Sequence, residues 1–223
     1  MATFRTKTEK VYVQLQNEII EGGLEPGSRL IISQLAKQFG VSEIPIREAI
    51  QRLDQEGYVV LRPHSGAVVS SLSEQDIRQI FEIRINLESF AARLAVDYLS
   101  NHDLHDLEAI LDQSIACYHG NYLSEYPKLN RAFHESIYQH SNNPRLASMI
   151  SDLWNLSKRY PNLFHNRKAI ELSIEEHRQI FEALKKRDAD LAEQLTKEHK
   201  TRGYQDLIRI VRKMNEFKEE LTP

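Results

Sequence analysis

Cysteine is nearly absent from this 223-residue chain: Cys117 stands alone, so no disulfide can close within it, and a reducing compartment suits it. Also missing are a run of 18 apolar residues and a charged-then-apolar leader. The expectation is therefore a soluble, cytoplasmic protein with no membrane partner. Nor does one charge dominate. The formal net charge is −3, and residues 1–72 set eight Lys and Arg against eight Asp and Glu, leaving 21 against 24 for the rest. A strongly basic face is excluded for the first third, so any contact with a polyanion must rely on local clustering. Beyond residue 72 there is no strand pattern, repeat or low-complexity tract. What is present is a 41% hydrophobic composition over a length that suits one large domain or two modest ones.

The stretch from Leu30 to Val69 carries the clearest pattern. Two short amphipathic helices are predicted, about Ser33 to Phe39 and Ile44 to Glu56, joined at Gly40-Val41 and stopped at Gly57. Leu35, Ala36 and Phe39 share one face, and Ile46, Ala49, Ile50 and Leu53 another. Ser33 and Ser42 stand where N-caps belong, Gly40 can take positive φ, and Pro45 falls in a first turn where a missing N–H does no harm. Two β-rich pieces follow, Tyr58–Arg62 and Ala67–Ser70, around Pro63-His64-Ser65-Gly66. A preceding helix from about Lys7 to Glu21 would brace them, with Val11, Leu15 and Ile19 at helical spacing. The order fits a winged helix-turn-helix, whose second helix enters the DNA major groove; on pattern alone it also fits a plain helical hairpin in a core.

A boundary is placed at 71–73, giving domains 1–72 and 73–223. Ser73 to Asp76 reads as a capping box opening a helix of about seven turns, and five more helices are expected at about 103–119, 124–140, 144–160, 173–186 and 189–216. The fold class is mainly α: a winged helix-turn-helix followed by an antiparallel all-α bundle. Within the bundle, Asn130 and His134 share a helix face four residues apart. His177 lies ten residues before Arg187 and His199 eleven after Asp188, so in an antiparallel hairpin turning at 187–188 both sit about 15 Å from the turn and are level, at ~1.5 Å rise per residue. Three imidazoles and an amide oxygen suit zinc, nickel or a similar divalent metal; hydrogen-bonded core or surface histidines are the plainer reading of the same spacing.

The blocks PGSRL (Pro26–Leu30), GVSEIPIREAIQRLDQEGYV (Gly40–Val59) and RPHSGAVV (Arg62–Val69) closely resemble the N-terminal domain of GntR-family transcription regulators. The helical half is similar to the FCD-type effector domain found in one GntR branch, in its shorter, VanR-like six-helix form. That domain's motif is Asp or Asn, three residues, His, then two histidines about 21 residues apart, matched here by Asn130, His134, His177 and His199. The resemblance implies a DNA operator as partner, a homodimer, a divalent metal on those four residues, and a small carboxylate effector held in part by Arg84, for which pairing with Glu88 is the alternative. It places Ser42, Glu43 and Arg47 toward DNA, Arg47 for guanine, with His64 and Gly66 at the wing tip. Arg29, Lys37, Arg52 and Arg62 are phosphate candidates, solvated charge being the alternative for each. Three positions depart from the family habit: Glu43 where arginine is common, Ser33 where a basic residue is common, and Asn130 for the commoner aspartate. The resemblance implies a transcription regulator of repressor type; a metal hydrolase is the rival reading, disfavoured because Glu135 and Glu176 point about 100° away from the histidines they adjoin.

Overall fold

The computed structural model describes residues 6–20, 23–62, 66–70, 74–157, 160, 163–164 and 167–221. They divide between two compact units, Met1–Ser73 with Trp154–Pro161, and Glu74–Leu153 with Asn162–Pro223.

In the first unit the order is α1 (Lys7–Ile20), β1 (Arg29–Leu30), α2 (Ile32–Phe39), α3 (Glu43–Gln55), β2 (Val59–Arg62) and β3 (Gly66–Val69). The strands form an antiparallel sheet in the order β1-β3-β2, with Leu30 opposite Ala67 and Arg62 opposite Gly66. Apolar residues at helical spacing on three helices close on one core: Val11, Leu15 and Ile19 from α1, Leu35 and Ala36 from α2, and Ile46, Ala49, Ile50 and Leu53 from α3. Tyr58, Val59, Ala67 and Val69 seal it from the sheet. The winged helix-turn-helix expected from sequence is thus the observed architecture, with an additional strand, β1, inside the PGSRL block. Two residues are too short a strand for any alternation to register in a sequence.

The capping expectations are corrected in part. α2 begins at Ile32 with Ile31 as N-cap, so Ser33 is an exposed residue inside the helix. Ser42 does occupy the N-cap of α3, in extended conformation, but its side chain makes no capping bond. Gly40 ends α2 at φ 64°, and its N–H bonds back to the carbonyls of Ala36 and Lys37.

The second unit holds α4 (Glu74–Tyr98), α5 (Asn101–His119), α6 (Tyr126–Gln139), α7 (Pro144–Ser157) as far as Leu153, α8 (Arg167–Lys185) and α9 (Ala189–Leu221), with a 3-10 turn at Leu123–Glu125. These are the six helices expected, with three shifted starts, α6 beginning at Tyr126 after the 3-10 turn rather than at 124. α5 starts at Asn101 because Ser100 and Asp103 form a reciprocal capping box. α8 starts at Arg167, six residues before the expected position. There Arg167 donates to the Asn121 side chain and the Tyr118 carbonyl at the end of α5, and Ile170 extends the buried stripe backward. The capping box expected at Ser73 lies outside the described residues. α4 packs chiefly on α9, α5 on α6 and α8, and α8 on α9. The α8–α9 hairpin turns at Arg187, which adopts φ 59°, and the Asp188 carboxylate accepts the Leu191 N–H to open α9.

Gly40 gives a clean test of the helix-turn-helix corner. A Cβ there would meet no atom within 4 Å, so Gly40→Ala carries only the left-handed backbone penalty. Urea unfolding should show a loss of about 1–2 kcal/mol.

Candidate functional site

Three histidines from three helices meet in the interior of the second unit. α6 supplies His134, α8 His177 and α9 His199, all buried. The level placement of His177 and His199 across the α8–α9 turn is realised, with ring centroids 4.9 Å apart. His134 Nε2 lies 3.1 Å from His199 Nε2 and 3.1 Å from His177 Nε2. One ligand atom from each ring falls within 4.8 Å of the others. Two nitrogens bound ~2.1 Å from one ion stand about 3.0 Å apart at a right angle and about 3.4 Å apart at the tetrahedral angle. The observed 3.1 Å falls between, so the donor set fits a single divalent transition ion. Asn130, half-buried, sits one turn before His134 on α6.

Proton counting supports that fit. The Glu176 carboxylate accepts from His199 Nδ1 at 2.6 Å and is itself gripped by both the Nε and Nη2 of Arg202. The Tyr138 hydroxyl donates its only proton to Glu88 at 2.7 Å, so His134 Nδ1, 3.3 Å away, must donate to the phenol oxygen. With their Nδ1 atoms engaged, His134 and His199 turn Nε2 toward each other, and His134 Nε2 faces His177 Nε2 as well. Imidazoles backed in this way are the usual support of a metal ligand. His177 is held differently: its ring stacks on Phe133 with centroids 4.3 Å apart, and its Nδ1 is buried with no hydrogen-bond partner.

The charges around the triad keep it neutral. Burial, then the Lys200 ammonium and the neighbouring imidazoles, holds His134 well below the usual histidine range. His177 is lowered by burial and His199, and His199 by burial against the opposing pull of Glu176. Beside the triad, Glu88 is fully buried. It bonds Arg84 Nε at 2.8 Å, Lys200 Nζ at 2.9 Å and the Tyr138 hydroxyl. Burial pushes the Glu88 carboxyl up, but Arg84 and then Lys200 outweigh it and bring it down to about 2. Burial lowers Lys200 to about 8. Two cations thus share one buried carboxylate. Arg84 makes the i,i+4 pair with Glu88, and that pair places it in the wall of the histidine site.

In the first unit, the outward side of α3 exposes Glu43, Ile44, Arg47, Glu48 and Gln51, with Ser42 just before it. Glu43 accepts from Arg47 Nη2 at 2.8 Å, and Glu48 from Thr8 Oγ1 at 2.7 Å. Arg29 on β1 lies over the wing: a Cβ at Gly66, whose φ is 74°, would come within 3.7 Å of its guanidinium. Arg52 stacks on the Tyr12 ring, 3.8 Å from its centroid, and bonds Glu56. Those contacts occupy it within the protein. His64 lies outside the described residues.

Residues 7–69 match the family described as bacterial regulatory proteins, gntR family, and residues 79–202 match the FCD domain. The chain belongs to the GntR family of transcription regulators. It is 36% identical to the uncharacterised HTH-type transcriptional regulator YdhC of Bacillus subtilis over 186 residues, covering 82% of this chain and 83% of that one. It is 30% identical to the gluconate operon transcriptional repressor of Bacillus licheniformis over 196 residues, covering 82% and 77%. Among solved structures, Escherichia coli McbR/YncC superposes with a TM-score of 0.71 at 28% identity, covering 95% of this chain and all of that one. The relatives are regulators, not enzymes, and this GntR regulator binds DNA through its winged helix-turn-helix.

The structure brings together His134, His177, His199 and Arg84 from four different helices. It adds residues that the sequence did not single out, Tyr138, Lys200 and Arg202, and it realises the Arg84–Glu88 pairing given as the alternative for Arg84. Glu176 and Glu135 are both turned away from any basic role, Glu176 to His199 and Arg202 and Glu135 to Arg131. The one signal for the additions was local, Tyr138 and Arg202 lying one turn after His134 and His199.

Glu88 yields a pH prediction. Its carboxyl lies below the ordinary 4.5 in the folded state, so its stabilisation is complete above that value and fades as pH falls toward 2. Glu88→Gln should cost about 3–5 kcal/mol in urea unfolding at pH 7, by stranding two buried cations. The gap between wild type and variant should close as the pH is lowered from 4.5 to 2.

Proposed function

We propose that this regulator is a repressor controlled by a small organic acid at a metal site formed by His134, His177 and His199, with Asn130 as an oxygen ligand. Residues 1–72 bind the operator and residues 73–223 bind effector and dimerise. The observation that carries this reading is the convergence of three buried Nε2 atoms, with the Nδ1 atoms of His134 and His199 already engaged by Tyr138 and Glu176. A zinc or nickel ion there would supply a Lewis-acidic position for a carboxylate or hydroxyl oxygen. With neutral imidazoles and an uncharged Asn130, the ion would keep its full charge, and an anion is the natural counterpart. Arg84 and Lys200 would orient that anion, and their hold on Glu88 is the contact it would perturb. The gluconate operon repressor among the relatives is named for the operon of a small hydroxy acid, which agrees with this ligand class and with repression.

Homodimer formation has support on α4. Ile80, Ile83, Leu87, Phe90 and Leu94 recur at alternating steps of three and four, the spacing of a helix-pairing seam. Ile83 and Phe90 are exposed and the other three half-buried. A two-fold dimer places two copies of α3 on an inverted repeat. For an effector to act, its affinity must differ between DNA-bound and free protein.

Calorimetric titration of metal-stripped protein with zinc or nickel should show one site per chain, abolished by His134→Ala. Glu176→Gln should weaken binding 10- to 100-fold, because an amide cannot satisfy Arg202 and still hold His199 in one tautomer. In the loaded protein, one member of a panel of small carboxylates should shift affinity for the protein's own upstream DNA, and Arg84→Ala should remove that shift. Metal binding with no response to any carboxylate would assign the ion a purely structural role.

A further inference from the structure

α3 carries one side chain that neither the core nor the charge pattern explains. Ile44 is 67% exposed. It lies about 160° round the helix from Ile46, at ~100° per residue, so it points opposite to the buried stripe of Ile46, Ala49, Ile50 and Leu53. A solvent-facing β-branched residue on a helix lowers helix propensity and wets apolar surface, with no return from packing. Its neighbours on that face are polar and in part already engaged: Glu43 with Arg47, and Glu48 with Thr8. Ile44 thus stands as an apolar point within a polar face, on the first turn of the helix that enters the major groove. The base edges in that groove present donors, acceptors and one apolar group, the C5-methyl of thymine.

We infer that Ile44 is a specificity-determining residue that reads a thymine methyl in the operator. This rests on α3 being the DNA-reading helix. Arg47 lies three residues on, and side chains at that spacing are about 5–6 Å apart, one to two base-pair steps along the groove. The thymine therefore lies within two base pairs of the guanine that Arg47 contacts. Glu43 contributes by drawing Arg47 to its own side of the helix, which leaves the apolar surface of Ile44 open.

The test begins with duplexes selected by the full-length protein from a randomised pool. Each thymine of the selected site is then replaced in turn by deoxyuridine, which deletes only the methyl. At one thymine per half-site, wild-type affinity should fall about four-fold, the equivalent of ~0.8 kcal/mol for one buried methyl-sized group. In Ile44→Ala the thymine and uracil sites should bind equally, within 1.5-fold. That variant improves helix propensity at an exposed position, and an unchanged thermal melt confirms its fold. A thymine preference of undiminished size in Ile44→Ala, or no thymine whose methyl matters, overturns the assignment. Arg47→Ala separates the premise from the inference: undisturbed guanine preference in that variant shows that α3 does not read the site in this way, whatever Ile44 does.

Discussion

The helical unit depends on a contact that imidazoles alone make poorly: the Nε2 atoms of His134 and His199 facing each other at 3.1 Å in the buried interior. Nothing about helix propensity or apolar packing asks for that arrangement. It persists because each ring is anchored from behind, His199 by the Arg202-clamped Glu176 and His134 by the Tyr138–Glu88 relay. α8 gives both a ligand-type residue, His177, and the carboxylate that steadies its counterpart on α9. The two helices are therefore tied by opposite-facing halves of one sequence pair, and either half is meaningless without the other.

The electrostatics follow from the same anchoring. A carboxylate buried without compensation would rise in pKa and neutralise itself. Glu88 does the opposite because Arg84 and Lys200 reach it from α4 and α9. The cost of burying Lys200 shows in its own depressed pKa of about 8. A buried cluster of two cations on one carboxylate is a poor way to stabilise a bundle, since a well-packed apolar core would do as well or better.

Much of this was legible in the sequence, and the legible parts share a physical cause. Helix periodicity, the Gly40 stop and the Pro144 start are local signals, so α1 to α3 and the six later helices could be read directly. The equal distances of His177 and His199 from Arg187 translate one-dimensional spacing into level placement because a helical hairpin is nearly a folded ruler. Three things escaped. Strand β1 is two residues long and exists only through its pairing with β3. Ser33 fits the composition of a cap but sits one turn-step inside a helix that Ile31 opens with backbone alone. The Arg84–Glu88 pairing was open to a single-helix reading, but its junction with Lys200 and Tyr138 joins three helices, and no single-helix pattern marks which residues will point inward together.

α4 has one further consequence. It runs 25 residues from Glu74, with Arg84 and Glu88 on its inward side and the apolar seam along another. From Glu88 back to Glu74 is about 21 Å of continuous helix at ~1.5 Å per residue. The chain before Glu74 leads through residues 71–73 into the winged helix. α4 is therefore a lever with its fulcrum at the charged cluster: a tilt of about 5° there carries its first residue by about 2 Å over that ~21 Å arm. A ligand that loosens or tightens one buried carboxylate needs no long relay to be felt at the start of the helix, because the stiffness of the backbone itself does the transmitting.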